Sequence, residues 1–497
     1  MKRIISLLLA LLMLSACFLT SCSKDKTEEE TTDGAVTTNS QEEEETKYLD
    51  DLPQKDMGGY EFMLLQNPRQ DFVTDTGFGD NSDGSVYGDA IYRRNLSVEE
   101  RFNCVLKVEY NSVEANLIPI AMSGDCEYDM LMFSPVGHSD ILLSGALLDW
   151  SNENMPFIDK SKPYYHSKMN ENLSVAGSQF FLSGEFANSV NRFTYCWYFN
   201  SKLLQDVHHM QPDDLYEIVI NKQWTYEKAY TMIENTYADD GTLGEKDTAD
   251  TFGYASNYRS AAVAYNYAFD NRSMLMIDGV PQMNENFYDK SIDVIEAVRK
   301  LFYDNKGSYV GDWGADSLSW RSSKALFVAS CLHDGIDYAN VNFNFGIVPY
   351  PLYDSEQTEY YSSVDGAHHL MAMLTSLPDE RKENNSIIIE ALNAESARIS
   401  KPVFIEQTLK LRTFNESLDK VDIIVDLVRD SVIADFGYFF SAQHEGFPFM
   451  IELVLESQTF SEENRRYFPS LYEQNKDKNI NKYNDIVSKL VELSEGE

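Results

Sequence analysis

Tyr60-Glu61-Phe62-Met63-Leu64-Leu65 is the stretch on which the fold turns. This short apolar run lacks Gly and Pro and ends at a loop rich in Gly, Asp and Asn between Asn67 and Gly84. It predicts a buried strand. Beyond the loop, Val86, Tyr87, Ala90, Ile91, Val98 and Phe102 recur at helical spacing. Arg93, Arg94, Glu99 and Glu100 are assigned to the opposite, polar side. Residues 104–110 alternate as a strand, residues 113–122 predict a second helix, and residues 128–133 predict a third strand. That strand ends at a Ser134-Pro135-Val136-Gly137 turn. Strand, helix, strand, helix, strand predicts an α/β fold: a parallel sheet with right-handed crossovers. Ligands on such sheets bind at the carboxyl ends of the strands. Here those ends carry Gln66-Asn67 and Ser134 to His138.

Further along, Thr225 is placed to cap a helix that carries Tyr230, Ile233 and Glu234. Residues 291–303, 386–400, 421–432 and 481–493 predict helices, and residues 325–328 and 345–348 predict strands. No internal repeat is present. From about Met57 onward the chain is too long for one compact core, so two lobes are expected.

The N-terminus has a basic head, Lys2 and Arg3, and an apolar run from Ile4 to Leu14. That layout predicts a secretory signal peptide, and the run is too short for a span of ~20 residues. Leu19-Thr20-Ser21-Cys22 resembles the bacterial lipobox, in which the cysteine sulfur is acylated and the cysteine becomes the mature N-terminus. Cys22 is preferred over Cys17, because Cys17 precedes apolar Phe18 and Leu19 whereas Cys22 precedes Ser23 and Lys24. An ordinary cleaved signal peptide is the alternative. Residues 23–50 hold Thr, Ser, Glu and Asp, including the runs Glu28 to Glu30 and Glu42 to Glu45. This composition cannot build a core and predicts an extended tether. The expected location is the extracellular face of the cell membrane, with membrane attachment through the lipid.

A formal net charge of −39 argues against nucleic acid as a partner and disfavours anionic ligands without a local basic pocket. Neutral ligands stay open. The 30 Tyr and 28 Phe suit a protein that grips a flat, polar molecule, or else fill cores. Cys104, Cys126, Cys196 and Cys331 are too sparse for a disulfide scaffold. Cys104 and Cys126 are close enough in sequence for a bridge, and buried free thiols are the alternative. No HExxH, GxSxG or Walker A motif occurs, and Gly77-Phe78-Gly79 is read as a turn. The adjacent pairs His208-His209 and His368-His369 point apart on strand or helix and do not suggest a metal site. No cofactor, metal or catalytic constellation is expected.

Four segments, in order, carry a family resemblance. They are Gly88-Asp89-Ala90-Ile91-Tyr92-Arg93-Arg94-Asn95 leading into Val98 to Asn103; Tyr128-Asp129 followed by Leu148-Asp149-Trp150; Tyr198-Phe199-Asn200-Ser201-Lys202 with Asp214 to Glu217 and Trp224-Thr225; and Gly346-Ile347-Val348-Pro349-Tyr350-Pro351 with Tyr360-Tyr361-Ser362. Together they resemble the extracellular solute-binding lipoproteins of bacterial carbohydrate ABC importers, of the maltodextrin-binding-like kind. The resemblance implies a two-lobed, type II periplasmic-binding-protein-like clamp with a hinge, no enzymatic activity, and delivery of a neutral sugar or oligosaccharide to ABC permease subunits. A surface-anchored glycan hydrolase and an adhesin or structural lipoprotein are the rival readings, and a peptide is the rival ligand. Asp239-Asp240-Gly241 lacks the alternating acids of a calcium loop found in related chains, so bound calcium is not expected.

The expected organisation is a signal peptide over 1–21 and a tether over 22–56. The N-terminal lobe takes 57–190 plus 326–361, and the C-terminal lobe takes 191–325 plus 362–497. Interlobe crossings are expected at residues 192–198, 320–326 and 362–365. Ligand candidates are loop residues at strand ends or beside crossings: His138, Tyr258, Arg259, Trp320, Arg321, Asp365, His368, Phe436 and Tyr438. Rings would stack beneath a pyranose, and planar polar groups would bond its edge.

Overall fold

The computed structural model describes residues 48–79, 84–124, 126–151, 153–242, 246, 247, 249–312, 314, 319–338, 340–406, 418–441 and 446–495. The signal peptide, Cys22 and most of the tether lie outside these residues.

The first sheet follows the predicted pattern. β1 (Tyr60–Gln66) lies in parallel between β2 (Cys104–Tyr110) and β3 (Met130–Phe133), with Tyr60 opposite Cys104 and Leu64 opposite Met130. The connecting helices are Val86–Phe102 and Val113–Ser123. The first begins where the Ser85 hydroxyl accepts the Gly88 N–H at 2.9 Å, and it ends at Asn103 in the left-handed region. Its apolar face buries Ile91, Val98 and Phe102.

Arg94 departs from the expected polar side and is fully buried. Its guanidinium donates to the Thr76 carbonyl at 2.6 Å and the Asp75 carbonyl at 3.0 Å, and lies 4.8 Å from the Phe186 ring centroid. Helical period places a residue on a face. It cannot show that a neighbouring loop offers carbonyls there.

The second sheet runs in the order β10-β4-β9-β5-β8. Its strands are β4 (Tyr195–Asn200), β5 (Phe252–Asn257), β8 (Ser308–Gly311), β9 (Ala325–Cys331) and β10 (Phe345–Val348). Between β5 and β8 the chain forms a separate hairpin, β6 (Met274–Ile277) and β7 (Val280–Met283). The Tyr226–Thr236 helix, capped by Thr225 as expected, lies directly on this sheet. A Cβ at Gly253 would sit 2.2 Å from the Ile233 carbonyl oxygen, and one at Gly307 would sit 2.0 Å from it. Only glycine permits that approach.

A large share of the buried aromatic rings sits here. Trp197 packs against Trp224 at 5.7 Å, Tyr254 at 4.9 Å and Phe327 at 5.4 Å. These rings fill a core.

The expected lobe boundaries are corrected by the topology. β9 and β10 pair with β4, so the strands within 326–361 belong to the second sheet. β11 (Leu370–Ala372) pairs antiparallel with β3, and the Asp379–Glu395 helix packs on Val86–Phe102, so both lie with the first sheet. The Leu418–Asp430 helix returns to the second lobe, against β10 and the Pro212–Ile220 helix.

Extended segments cross between the lobes side by side. Thr194 bridges Val364, and Ser362 bridges Val432. The Asp365 N–H donates to the Phe193 carbonyl at 2.9 Å, and the Ile433 N–H to the Ser362 carbonyl at 2.9 Å. Crossings near 194 and 364 match expectation. Residues 320–326 do not cross: the Lys324 N–H turns back to Ser319 at 2.9 Å and the chain enters β9 within the second lobe. The strand near 432 takes that place.

After it, the Asp435 carboxylate accepts the Ser273 N–H at 3.1 Å, the Met274 N–H at 3.2 Å and the Gly437 N–H at 3.0 Å. The closing helices Phe447–Ser457 and Phe468–Glu495 pack against Tyr258–Ala268 and Ser139–Leu143 respectively. Cys104, Cys126, Cys196 and Cys331 are free and buried, so the bridge that sequence left open does not form.

Candidate functional site

A cleft of about 400 Å³ opens over the crossing segments. The loop after β1 contributes Arg69, and the crossings contribute Phe193, Tyr195 and Asp365. The second lobe contributes Asn257 at the end of β5 and Ser330-Cys331 at the end of β9. Carboxyl ends of strands therefore meet at the cleft, as the α/β rule requires.

Local physics holds each group. The Asn257 side chain caps the Tyr258–Ala268 helix by accepting the Ser260 N–H at 3.0 Å, which turns the start of that helix toward the cleft. Asp365 follows the crossing strand. Its carboxylate accepts the Tyr195 hydroxyl at 2.9 Å and the Ala367 N–H at 3.0 Å, and lies 3.5 Å from Ser260 Oγ. Burial first, and then the Asp365 charge, push the Tyr195 phenol well above its ordinary range, so it stays a neutral donor. The Arg69 guanidinium lies 5.2 Å from the Phe193 ring, and that ring lies 4.9 Å from the His333 ring. His333 Nε2 is 3.2 Å from Asp334. Ser330 donates to the same carboxylate through a short contact. Arg321 adds a second guanidinium, exposed on the wall of the second lobe. The cleft is thus polar, mixed in charge, and built from planar hydrogen-bonding groups on buried rings.

Of the residues predicted from sequence, Arg321 and Asp365 line this cleft. Trp320, His368, Phe436 and Tyr438 do not, and are corrected to core positions. Trp320 is fully buried against Tyr338 at 5.4 Å and Phe343 at 5.0 Å. His368 is fully buried beside Phe439 at 4.9 Å, with Nδ1 2.9 Å from the Asp365 carbonyl, and burial lowers its pKa to about 4. Tyr438 donates to the Val364 carbonyl at 3.3 Å, beneath the crossing. His138 is half-buried at the start of Ser139–Leu143, outside the cleft lining.

Tyr258 and Arg259 adjoin the cleft but are committed elsewhere. Arg259 stacks 5.3 Å over Tyr258 and pairs with Glu456 at 2.9 Å, Asp312 at 3.3 Å and Glu452 at 3.7 Å. Sequence reasoning missed Arg69, Tyr195, Asn257 and His333. The strand-end rule pointed near the first through Gln66-Asn67. For the others the chain carries no local signal, because the pairing of β4, β5 and β9 brings them together.

Asp239, Asp240 and Asp250 bring carboxylate oxygens within 4.8 Å of one another. Asp250, however, accepts the Asp240 N–H at 3.0 Å, the Asp247 N–H at 3.2 Å and the Tyr237 hydroxyl at 3.2 Å, so its lone pairs fold the loop.

Glu452 makes the pH behaviour of this region testable. Burial lifts its carboxyl to about 7, against the pull of Arg259 and with a push from Glu456. The native state then binds a proton that the unfolded chain, at about 4.5, has released. This contribution to stability falls as pH rises from about 4.5 to 7. Glu452→Gln should raise stability at pH 8 relative to pH 4.5 by at most ~3 kcal/mol. Thermal melts of both proteins across that range read the difference, and parallel curves would remove Glu452 from the account.

No protein-family model matches the chain, and comparison with curated proteins finds no sequence match. Solved structures do match. UgpB from Mycobacterium tuberculosis, in complex with glycerophosphocholine, superposes with a TM-score of 0.50 at 12% identity, over 87% of this chain and 97% of its own. The ABC substrate-binding protein Lmo0181 from Listeria monocytogenes, in complex with cycloalternan, gives 0.51 at 11% identity, over 84% and 99%. An ABC transporter solute-binding protein from Thermotoga lettingae, bound to α-D-tagatose, gives 0.51 at 10% identity, over 86% and 100%. The fold is therefore the two-lobed, type II periplasmic-binding-protein-like clamp.

Proposed function

We propose that this chain is a solute-binding protein that takes a small neutral sugar or polyol into the cleft and presents it to an ABC permease. The observation that carries the reading is the cleft itself. It is lined from both lobes, lies on the crossing segments, and offers Asp365, Asn257, Arg69 and Arg321 around it. Planar acceptors and donors of this kind bond vicinal hydroxyls at a ring edge. The relatives in fold hold α-D-tagatose, cycloalternan and glycerophosphocholine, which supports a hydroxylated ligand. At about 400 Å³ the cleft sits near the small end of the roughly 300–1,000 Å³ range of ligand pockets, which favours one or two sugar rings. The chain acts as a carrier and not as an enzyme. Acylation at Cys22, with the acidic tether, would hold it at the outer face of the membrane. Intact mass of the mature protein checks that anchor, and an unacylated product starting elsewhere would remove it.

Calorimetry against a panel of monosaccharides, disaccharides, polyols and short peptides tests the reading. We expect saturable binding to a sugar or polyol without turnover, weakened at least tenfold in Asp365→Ala. Release of cleaved product would establish a hydrolase. Tight peptide binding with no sugar binding would replace the ligand class. No response at all would favour an adhesin.

A further inference from the structure

A second cavity, of about 370 Å³, lies on the reverse side of the crossing. Phe193 and Tyr195 face the cleft, while Thr194, between them in sequence, lines the reverse cavity with Val432. Alternation along an extended strand puts the two cavities on opposite faces. The lining chemistry also differs. Lys162, Lys168, Lys401 and Arg429 bring cationic groups, against the carboxylates of Glu185 and Asp430. In a chain of net charge −39, four cationic side chains around one cavity run against the overall balance.

Glu185 is almost fully buried and already committed. It accepts Lys401 Nζ at 2.8 Å, Arg429 at 2.8 Å and the Asn191 amide at 3.0 Å. One carboxylate thus serves two cations. Lys168 donates one N–H to the neutral backbone carbonyl of Asp430 at 2.8 Å, which leaves its charge uncompensated by that contact. Lys162 pairs with Asp51 through a short contact, and Asp51 is exposed. His166 binds Ser183 Oγ through Nδ1 at 2.7 Å, while its Nε2 has no hydrogen-bond partner among the described residues and lies 3.8 Å from Glu185. Arg429 also lies 3.8 Å from the Asp426 carboxylate. Lys168 is thus the lining lysine with no carboxylate partner among the described residues, and the cavity offers spare donors and room for more than a water molecule.

We propose that this reverse cavity binds a phosphate group, as inorganic phosphate or a small phosphate monoester, through Lys162, Lys168, Lys401 and Arg429. The wider negative field does not forbid it, because charges farther than ~8 Å are screened at physiological salt. Arg429 ends a helix packed on the second lobe, whereas Lys168 and Lys401 stand on helices of the first. An anion held by both sides spans the hinge. Its occupancy is then coupled to rotation of the lobes and, reciprocally, to affinity in the cleft.

The test is titration of the protein with inorganic phosphate and with glycerol 3-phosphate at constant ionic strength, with chloride as control, read by calorimetry and thermal shift. We expect saturable binding, weakened at least tenfold by Lys168→Gln and by Lys162→Gln. Neither substitution touches the Glu185 pairs, so both variants should fold. Asp365→Ala should leave phosphate binding intact, which separates this site from the cleft. Shifts equal to those with chloride, or unchanged phosphate affinity in both lysine variants, would overturn the proposal. Loss of phosphate binding in Asp365→Ala alone would overturn it by moving the anion into the cleft. Binding of the monoester without inorganic phosphate would keep the site and name the ester as its ligand.

Discussion

Trp320→Ala is expected to lower the unfolding free energy by ~3–5 kcal/mol, the usual cost of truncating a large buried ring. The indole is fully buried among Tyr198, Tyr338, Phe343 and Phe345, with ring centroids between 5.0 and 6.3 Å. Tyr198 is held against collapse into the space, because it donates its hydroxyl to the Leu332 carbonyl at 2.9 Å. Denaturant titration measures the loss. Under conditions where the variant is folded, cleft ligands should bind with affinity within a few-fold of the parent. A stable variant with abolished binding would return the ring to the site, where sequence alone had put it.

Arg429→Ala should cost about 2 kcal/mol, since a nearly buried carboxylate loses one of its two charged donors. Glu185 would keep Lys401 but lose its partner across the hinge, and Asn191 would lose the Arg429 contact at 3.0 Å. The pH dependence gives an independent signature. Burial raises the Glu185 carboxyl, but the His166 imidazole 3.8 Å away and the charges of Arg429 and Lys401 outweigh it and hold it well below the ordinary range. The stability it supplies is fully present above about pH 4.5 and is lost as pH falls further. The variant should therefore be closest to the parent in acid and furthest from it at neutral pH. Melts at pH 4 and pH 7 decide this, and an equal difference at both would assign the loss to packing.

Much of the first lobe was legible. β1, β2 and the Val86–Phe102 helix lie where the apolar run, the alternation and the helical period put them, because each is a local pattern. The exchange of strands between lobes was not legible. β9 and β10 are short runs buried on both faces, and nothing in such a run states which sheet it will join. β11 is only three residues long.

The same limit governs the site. Trp320 and Arg321 are neighbours in sequence, yet one is sealed in the core and the other lies on the cleft wall. Asp365, placed beside a crossing from sequence, does line the cleft. Tyr195 and His333 were not legible, because they meet Asp365 and Phe193 only through long-range pairing.

The buried indoles also decide what light can report about this molecule. Trp197, Trp224 and Trp320 sit in the aromatic core of the second lobe, and Trp150 is equally sealed in the first. None of these four lines the cleft. Their emission belongs to an apolar medium and changes when water reaches the core. It is therefore a gauge of melting, dominated by one lobe. A sugar entering the cleft would leave these four fluorophores nearly undisturbed, so their share of the emission would stay flat on binding. The fifth tryptophan, Trp313, lies outside the described residues, and a dye placed on the cleft rim would be the instrument to choose.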